Sequence, residues 1–80
     1  MKKVEDNKFK FRINDKVKVL DDIWGYNTTN KVGIIKHFDI TNNNKVFVCF
    51  DEDICQFNNK ELVTRGLWID IDKIEKTNNI

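Results

Sequence analysis

The sequence predicts an all-β domain, a small closed or nearly closed barrel of five to six short strands, and three observations carry that prediction. Apolar and polar residues alternate with period two in several short runs, turn formers separate the runs at near-regular spacing, and no long stretch of the eighty residues has a helical period. Composition agrees. The chain has no Ala, Ser or Pro, so the best helix former is missing, while Val, Ile, Thr and aromatic residues suit pleated, half-buried strands. A chain of this length buries only about 60% of its unfolded surface, and an open sheet this small exposes a face and two edges. Closure is the expected remedy.

Along the chain, Phe9, Phe11 and Ile13 share one parity and Lys8, Lys10 and Arg12 the other, the pattern of a strand with one wet face. Asn14-Asp15 signals a turn; Val17 and Val19 then point inward and Lys16 and Lys18 outward, which predicts a first strand over Lys16 to Leu20. "DDIWGYNTTN", residues 21–30, has turn formers, a glycine and two large aromatics but no period, and reads as an extended surface loop. In "KVGIIKHFDI", Val32, Ile34, Phe38 and Ile40 share one parity and Ile35 takes the other, with the break at Lys36. This predicts a long strand that changes its buried side at a bulge.

Thr41 to Asn44 suits a hairpin connection, because Asn tolerates positive φ. "KVFVCFD" then sets Val46, Val48 and Phe50 against Phe47, Cys49 and Asp51, and "EDICQFNNKE" reads as a polar loop anchored by Ile54 and Phe57. "ELVTRGLWIDI" reads as one strand, or two around Gly66, with Leu67, Ile69 and Ile71 on one side and Trp68, Asp70 and Asp72 on the other. "DKIE" is expected as a single helical turn before a last short strand. The reading is one domain over residues 1–80, its core spanning about 9–75 and its termini frayed.

The order "INDKVKVL", an irregular loop with Gly25, "NKVGIIKHF", a hairpin, "KVFVCFD", a loop, and "LWIDIDKIE" resembles the SH3-like small β-barrel, in its KOW-like form and in small phage barrels of the YorP kind. The resemblance covers Ile13 to Glu75 and implies that the irregular loop after the first strand, with neighbouring strand faces, forms the contact surface. KOW segments carry glycine just before the first strand, where this chain has Asn14, and a more basic loop than residues 21–30. A fold of this kind does not by itself fix a function.

Asn, Ile and Lys recur throughout, and their AT-rich codons point to a low-GC bacterium or its phage. No secretory apolar segment follows Met1-Lys2-Lys3, and no apolar run approaches the ~18 residues needed to span a bilayer. The expectation is a soluble protein of a bacterial cytoplasm. Net charge is +1, yet residues 1–20 carry seven cations against three anions, and the other sixty carry seven against ten. The basic run Lys8, Lys10, Arg12, Lys16 and Lys18 supports an alternative function as a nucleic-acid-binding accessory protein, since cations at period two can track phosphates. The same run is what the wet side of an amphipathic strand requires. Phe9 and Phe11 moreover face away from the cations, whereas single-strand binding wants aromatic platforms among them.

Catalytic options are thin. Without serine, serine nucleophilic catalysis is excluded, and a Cys-His pair would need Cys49 or Cys55 with His37, the sole histidine. Cys49 lies mid-strand between Val48 and Phe50, where a buried inert thiol is the usual outcome. These three residues also fall short of a structural zinc set, and in a reducing compartment free thiols are expected. "DED" and Asp70/Asp72 lack the register of a calcium loop and read as a solvated acidic rim. No catalytic residue, metal or cofactor is expected.

The aromatics say more. Phe9, Phe11, Phe38 and Phe50 have core parity, whereas Trp24 and Tyr26 lie in a polar loop and Phe47 and Trp68 share faces with polar residues. One or two of these four can plug a barrel end; large aromatics left at the surface mark interaction patches. The reading is therefore a non-enzymatic protein-binding module. Trp24, Tyr26, Phe47 and Trp68, with the acids Asp51, Glu52, Asp53 and Asp70, are its candidate contacts, and a host protein modulated by a phage or mobile-element product is its candidate partner.

Overall fold

Val17 and Val19 point into the core and are completely buried, while Lys16 and Lys18 point out. The strand they define, β1 (Lys16–Val19), is the pivot of the fold. The computed structural model describes residues 11–41 and 44–77. Within them lie β2 (Val32–Phe38), β3 (Lys45–Cys55), β4 (Val63–Asp70), a 3-10 turn at Ile71–Lys73 and β5 (Ile74–Lys76). All five strands form one antiparallel sheet in the order β4-β3-β2-β1-β5. The chain is thus all-β and consistent with the SH3-like architecture. No β4–β5 ladder closes the sheet among the described residues, so of the closed or nearly closed barrel expected, full closure is not seen.

The core is a continuous cluster of Phe11, Val17, Val19, Ile35, Val46, Val48, Phe50, Ile54, Ile69, Ile71 and Ile74, with Ile23 from the loop. The bulge in β2 is present: the register with β3 shifts between Ile35 and His37, which swings Ile35 and then Phe38 toward the same interior. Val32 and Ile34, on the more populated parity, face outward, and Ile40 is 92% exposed. A parity count weights every apolar residue equally. The β1 pairing instead fixes which side of β2 meets the core.

Two expectations are corrected. The alternation before Asn14 is not a strand where it can be described: Phe11 is buried, but Ile13 is exposed in a turn closed by Asp15 N–H on Arg12 O. Asn14 there takes φ 78, the left-handed conformation that glycine otherwise supplies. Residues 8–10 lie outside the described residues. Second, the segment read as a polar loop after Asp51 continues β3 to Cys55. It bends where the register with β4 jumps between Cys49 and Ile54, burying Ile54 while Phe57 stays exposed. Among the described residues no helix is long and apolar enough to cross a membrane.

Candidate functional site

The loop at residues 21–30 has no period because side-chain hydrogen bonds, not a sheet ladder, hold it. Asp22 Oδ1 accepts from the N–H groups of Thr28 and Thr29 and from the Thr29 hydroxyl, at 3.1, 3.1 and 2.8 Å. Thr28, completely buried, donates its hydroxyl to Asp21 O and accepts from Ile23 N–H. Inside this frame Tyr26 N–H donates to Ile23 O at 2.8 Å, closing a two-residue turn whose central residues, Trp24 and Gly25, both have positive φ (57 and 80). That is a type I′ geometry, in which Asn-Gly is the preferred pair. Tryptophan at its first position is sterically disfavoured, so local preference does not account for Trp24.

What the turn achieves is a placement. Trp24 stands 68% exposed, and its indole Nε1 donates to Trp68 O on β4 at 3.2 Å. Trp68, 39% exposed, packs edge-on to Phe47, the ring centres 5.2 Å apart. Phe47 in turn leans on His37 at 5.9 Å. His37, Phe47 and Trp68 are cross-strand partners in one row over β2, β3 and β4, so an aromatic ridge crosses the outer face of the sheet. Gly66 makes it possible: a Cβ there would meet the Phe47 ring at 2.5 Å. Beside the ridge lies a cleft of about 180 Å³ lined by Ile23, Trp24, Lys45, Trp68, Asp70 and Lys73. Lys45 Nζ donates to Asp70 Oδ1, and Lys73 pairs with Asp21 at 3.3 Å.

Of the residues singled out from sequence, Trp24, Phe47, Trp68 and Asp70 come together here. Tyr26 does not: it is partly buried against the core, its loop tied to β3 through Asn27 N–H on Cys55 O. Of the two loop aromatics it is Tyr26, and not Trp24, that folds back against the core. Asp51, Glu52 and Asp53 lie further along β3, at its bend. Glu52 pairs with Lys31 at 3.5 Å and Asp53 with Arg65 at 2.8 Å, which raises the Arg65 pKa through that hydrogen bond and charge. The acidic rim is therefore largely compensated.

The basic run is divided as well. Lys8 and Lys10 lie outside the described residues, Lys18 pairs with Glu75 at 3.5 Å, and β1 is an inner strand between β2 and β5. Cys49, expected as a buried thiol, is half-buried on the outer face, and His37 is exposed there. Their side follows from the bulge and from β1 pairing, which a single strand's pattern does not encode. Among the described residues no three His, Cys, Asp or Glu side chains gather as a metal site would require. Comparison with known families, with curated proteins and with solved structures finds no match to this chain.

Proposed function

We propose that this chain is a non-enzymatic protein-binding module whose contact surface is the ridge formed by Trp24, Phe47 and Trp68, rimmed by the Lys45–Asp70 pair. The observation that carries the reading is Trp24. A bulky residue in the left-handed region costs about 1–2 kcal/mol, and here that conformation, together with the indole bond to Trp68 O, holds a large aromatic face out in solvent. Pre-organised Trp anchors are the residues that dominate protein interfaces. A small barrel of the KOW-like or phage type, made by a low-GC bacterium or its phage to bind and modulate a host protein in the cytoplasm, is the role this surface fits. Composition is what supports that origin.

The test is affinity capture from lysate of the source bacterium, with and without nuclease, comparing wild type with Trp24→Ala and Trp68→Ala. A protein retained by wild type after nuclease and lost from both variants supports the reading. Retention by both variants refutes the ridge, and capture abolished by nuclease returns the function to nucleic acid.

A further inference from the structure

A second feature of the outer face lies on the other side of Phe47. Ile34 is the cross-strand partner of both Lys16 and Cys49, and Val32, Ile34 and Cys49 floor a groove of about 240 Å³ across β1, β2 and β3. Its lining is mostly apolar, unusual for the solvent side of a sheet. Lys16 and Lys36 stand on its rim, and Asp51 closes the far end beside Val32. Lys18, Lys31, Lys45, Lys73 and Lys76 each hold a carboxylate, whereas Lys16 and Lys36, like Lys60 outside the groove, are exposed and hold none among the described residues. Two uncompensated cations at one end of an apolar floor, with a carboxylate at the other, define a polarity for whatever lies there.

We infer that this groove is a second docking site, for a short acidic and apolar peptide segment of a partner protein. One or two apolar side chains seat on Val32, Ile34 and Cys49, and a carboxylate of the segment lies against Lys16 and Lys36. Asp51 repels a second carboxylate at its own end, so the segment carries acid on one side of its apolar residue only. The volume admits one or two side chains, which sets this site apart from a nucleic-acid track many phosphates long. Neither Trp24 nor Trp68 lines it, so it stands or falls independently of the aromatic ridge.

Cys49 in the floor supplies the readout, and Cys55, exposed at the end of β3 and outside the groove, supplies the internal control. The probe is a fluorescein-labelled peptide of two leucines followed by two glutamates, used alongside its counterpart with two glutamines. The expected result is a saturable anisotropy rise with the glutamate peptide and a slowed alkylation of Cys49 while Cys55 reacts unchanged. Binding should weaken about tenfold in K16E/K36E and stay unaltered in Trp24→Ala. Since the protection is measured on wild type, it holds even if the double variant folds poorly. Equal binding of the glutamine peptide, no protection of Cys49, or stronger protection by a dT12 oligonucleotide overturns the proposal.

Discussion

Gly33 and Gly66 look alike in the sequence but meet different obstacles, and the difference can be measured. At Gly33 an added Cβ would lie 2.6 Å from Val48 Cγ1 and 2.7 Å from the Cys49 carbonyl oxygen, on a strand flanked by β1 and β3. The carbonyl belongs to the ladder and cannot withdraw without breaking the β2–β3 pairing. Overpacking of this kind costs about 1–3 kcal/mol, and with backbone in the way the upper part of that range applies. For a domain of this size each kcal/mol is about 4–8 °C in Tm, so Gly33→Ala should lower Tm by about 10–20 °C.

At Gly66 the obstacle is the Phe47 ring, at 2.5 and 2.7 Å, and the nearest backbone atom is at 3.4 Å. The ring is half-buried on an open face and can swing. Losing its edge contact with Trp68 costs about 0.5–1.5 kcal/mol, offset by the 0.5–1 kcal/mol or so gained when alanine replaces a strand glycine. Gly66→Ala should therefore unfold within about 1 kcal/mol of wild type while altering near-UV circular dichroism and tryptophan emission. Urea denaturation of both variants decides the matter. A Gly33→Ala midpoint close to wild type, or a Gly66→Ala loss as large as that of Gly33→Ala, refutes the account.

Three further outcomes follow from the loop. Trp24→Asn installs the residue a type I′ turn prefers and gives up the bond to Trp68 O; stability by urea denaturation should change by less than about 1 kcal/mol, while under the proposed protein-binding role capture of a partner should be lost. Asp22→Ala removes the acceptor of three hydrogen bonds and should cost about 2 kcal/mol, with amide exchange accelerated first at Thr28 and Thr29. Asp21 is held below the ordinary aspartate value of 3.8 by the Asp22 N–H and then by Lys73. Its folded pKa being depressed, its contribution is complete above the unfolded pKa and is lost as pH falls through the folded value. Asp21→Asn should thus lower stability slightly at neutral pH, where the contribution is complete, and converge with wild type below about pH 4, so that the acid side of its stability profile is flatter.

The strands that sequence patterning located are those in which burial alone sets the pattern: Val17/Val19, Val46/Val48/Phe50 and Leu67/Ile69/Ile71 all face inward as their parity requires. The helical turn before β5 was legible in outline, but it spans Ile71–Lys73, and the last two residues of "DKIE", Ile74 and Glu75, already belong to β5. What escaped the pattern is what other chains of force decide. Asp51 to Asp53 carry no apolar alternation, yet remain in β3 because Ile54 is buried and because Lys31 and Arg65 sit opposite their charges. Tyr26 in a loop without period offers no parity, so its turn toward the core had no sequence signal. Trp24 was conspicuous as an aromatic in a polar loop, but the left-handed turn that displays it was hidden because Trp-Gly is not a pair that announces one.

The open edge of the sheet bears on how such a protein can be recognised. Among the described residues β4 has β3 on one side only, and an uncovered strand of eight residues would invite pairing with another chain. Gly66 and Trp68 share a parity, so their backbone groups point to the same edge. There the Thr64 hydroxyl donates to Gly66 O and accepts from Gly66 N–H, and Trp24 Nε1 occupies Trp68 O. Side chains of the chain itself thus hold three of the edge groups that a visiting strand would use. Strand addition along β4 would have to break them, and breaking the last would release the very ring that stands ready on the surface. The edge is thus partly occupied by the same residue that builds the ridge, so under the protein-binding role proposed above a partner that met the outer face would break fewer of these bonds than one that extended the sheet.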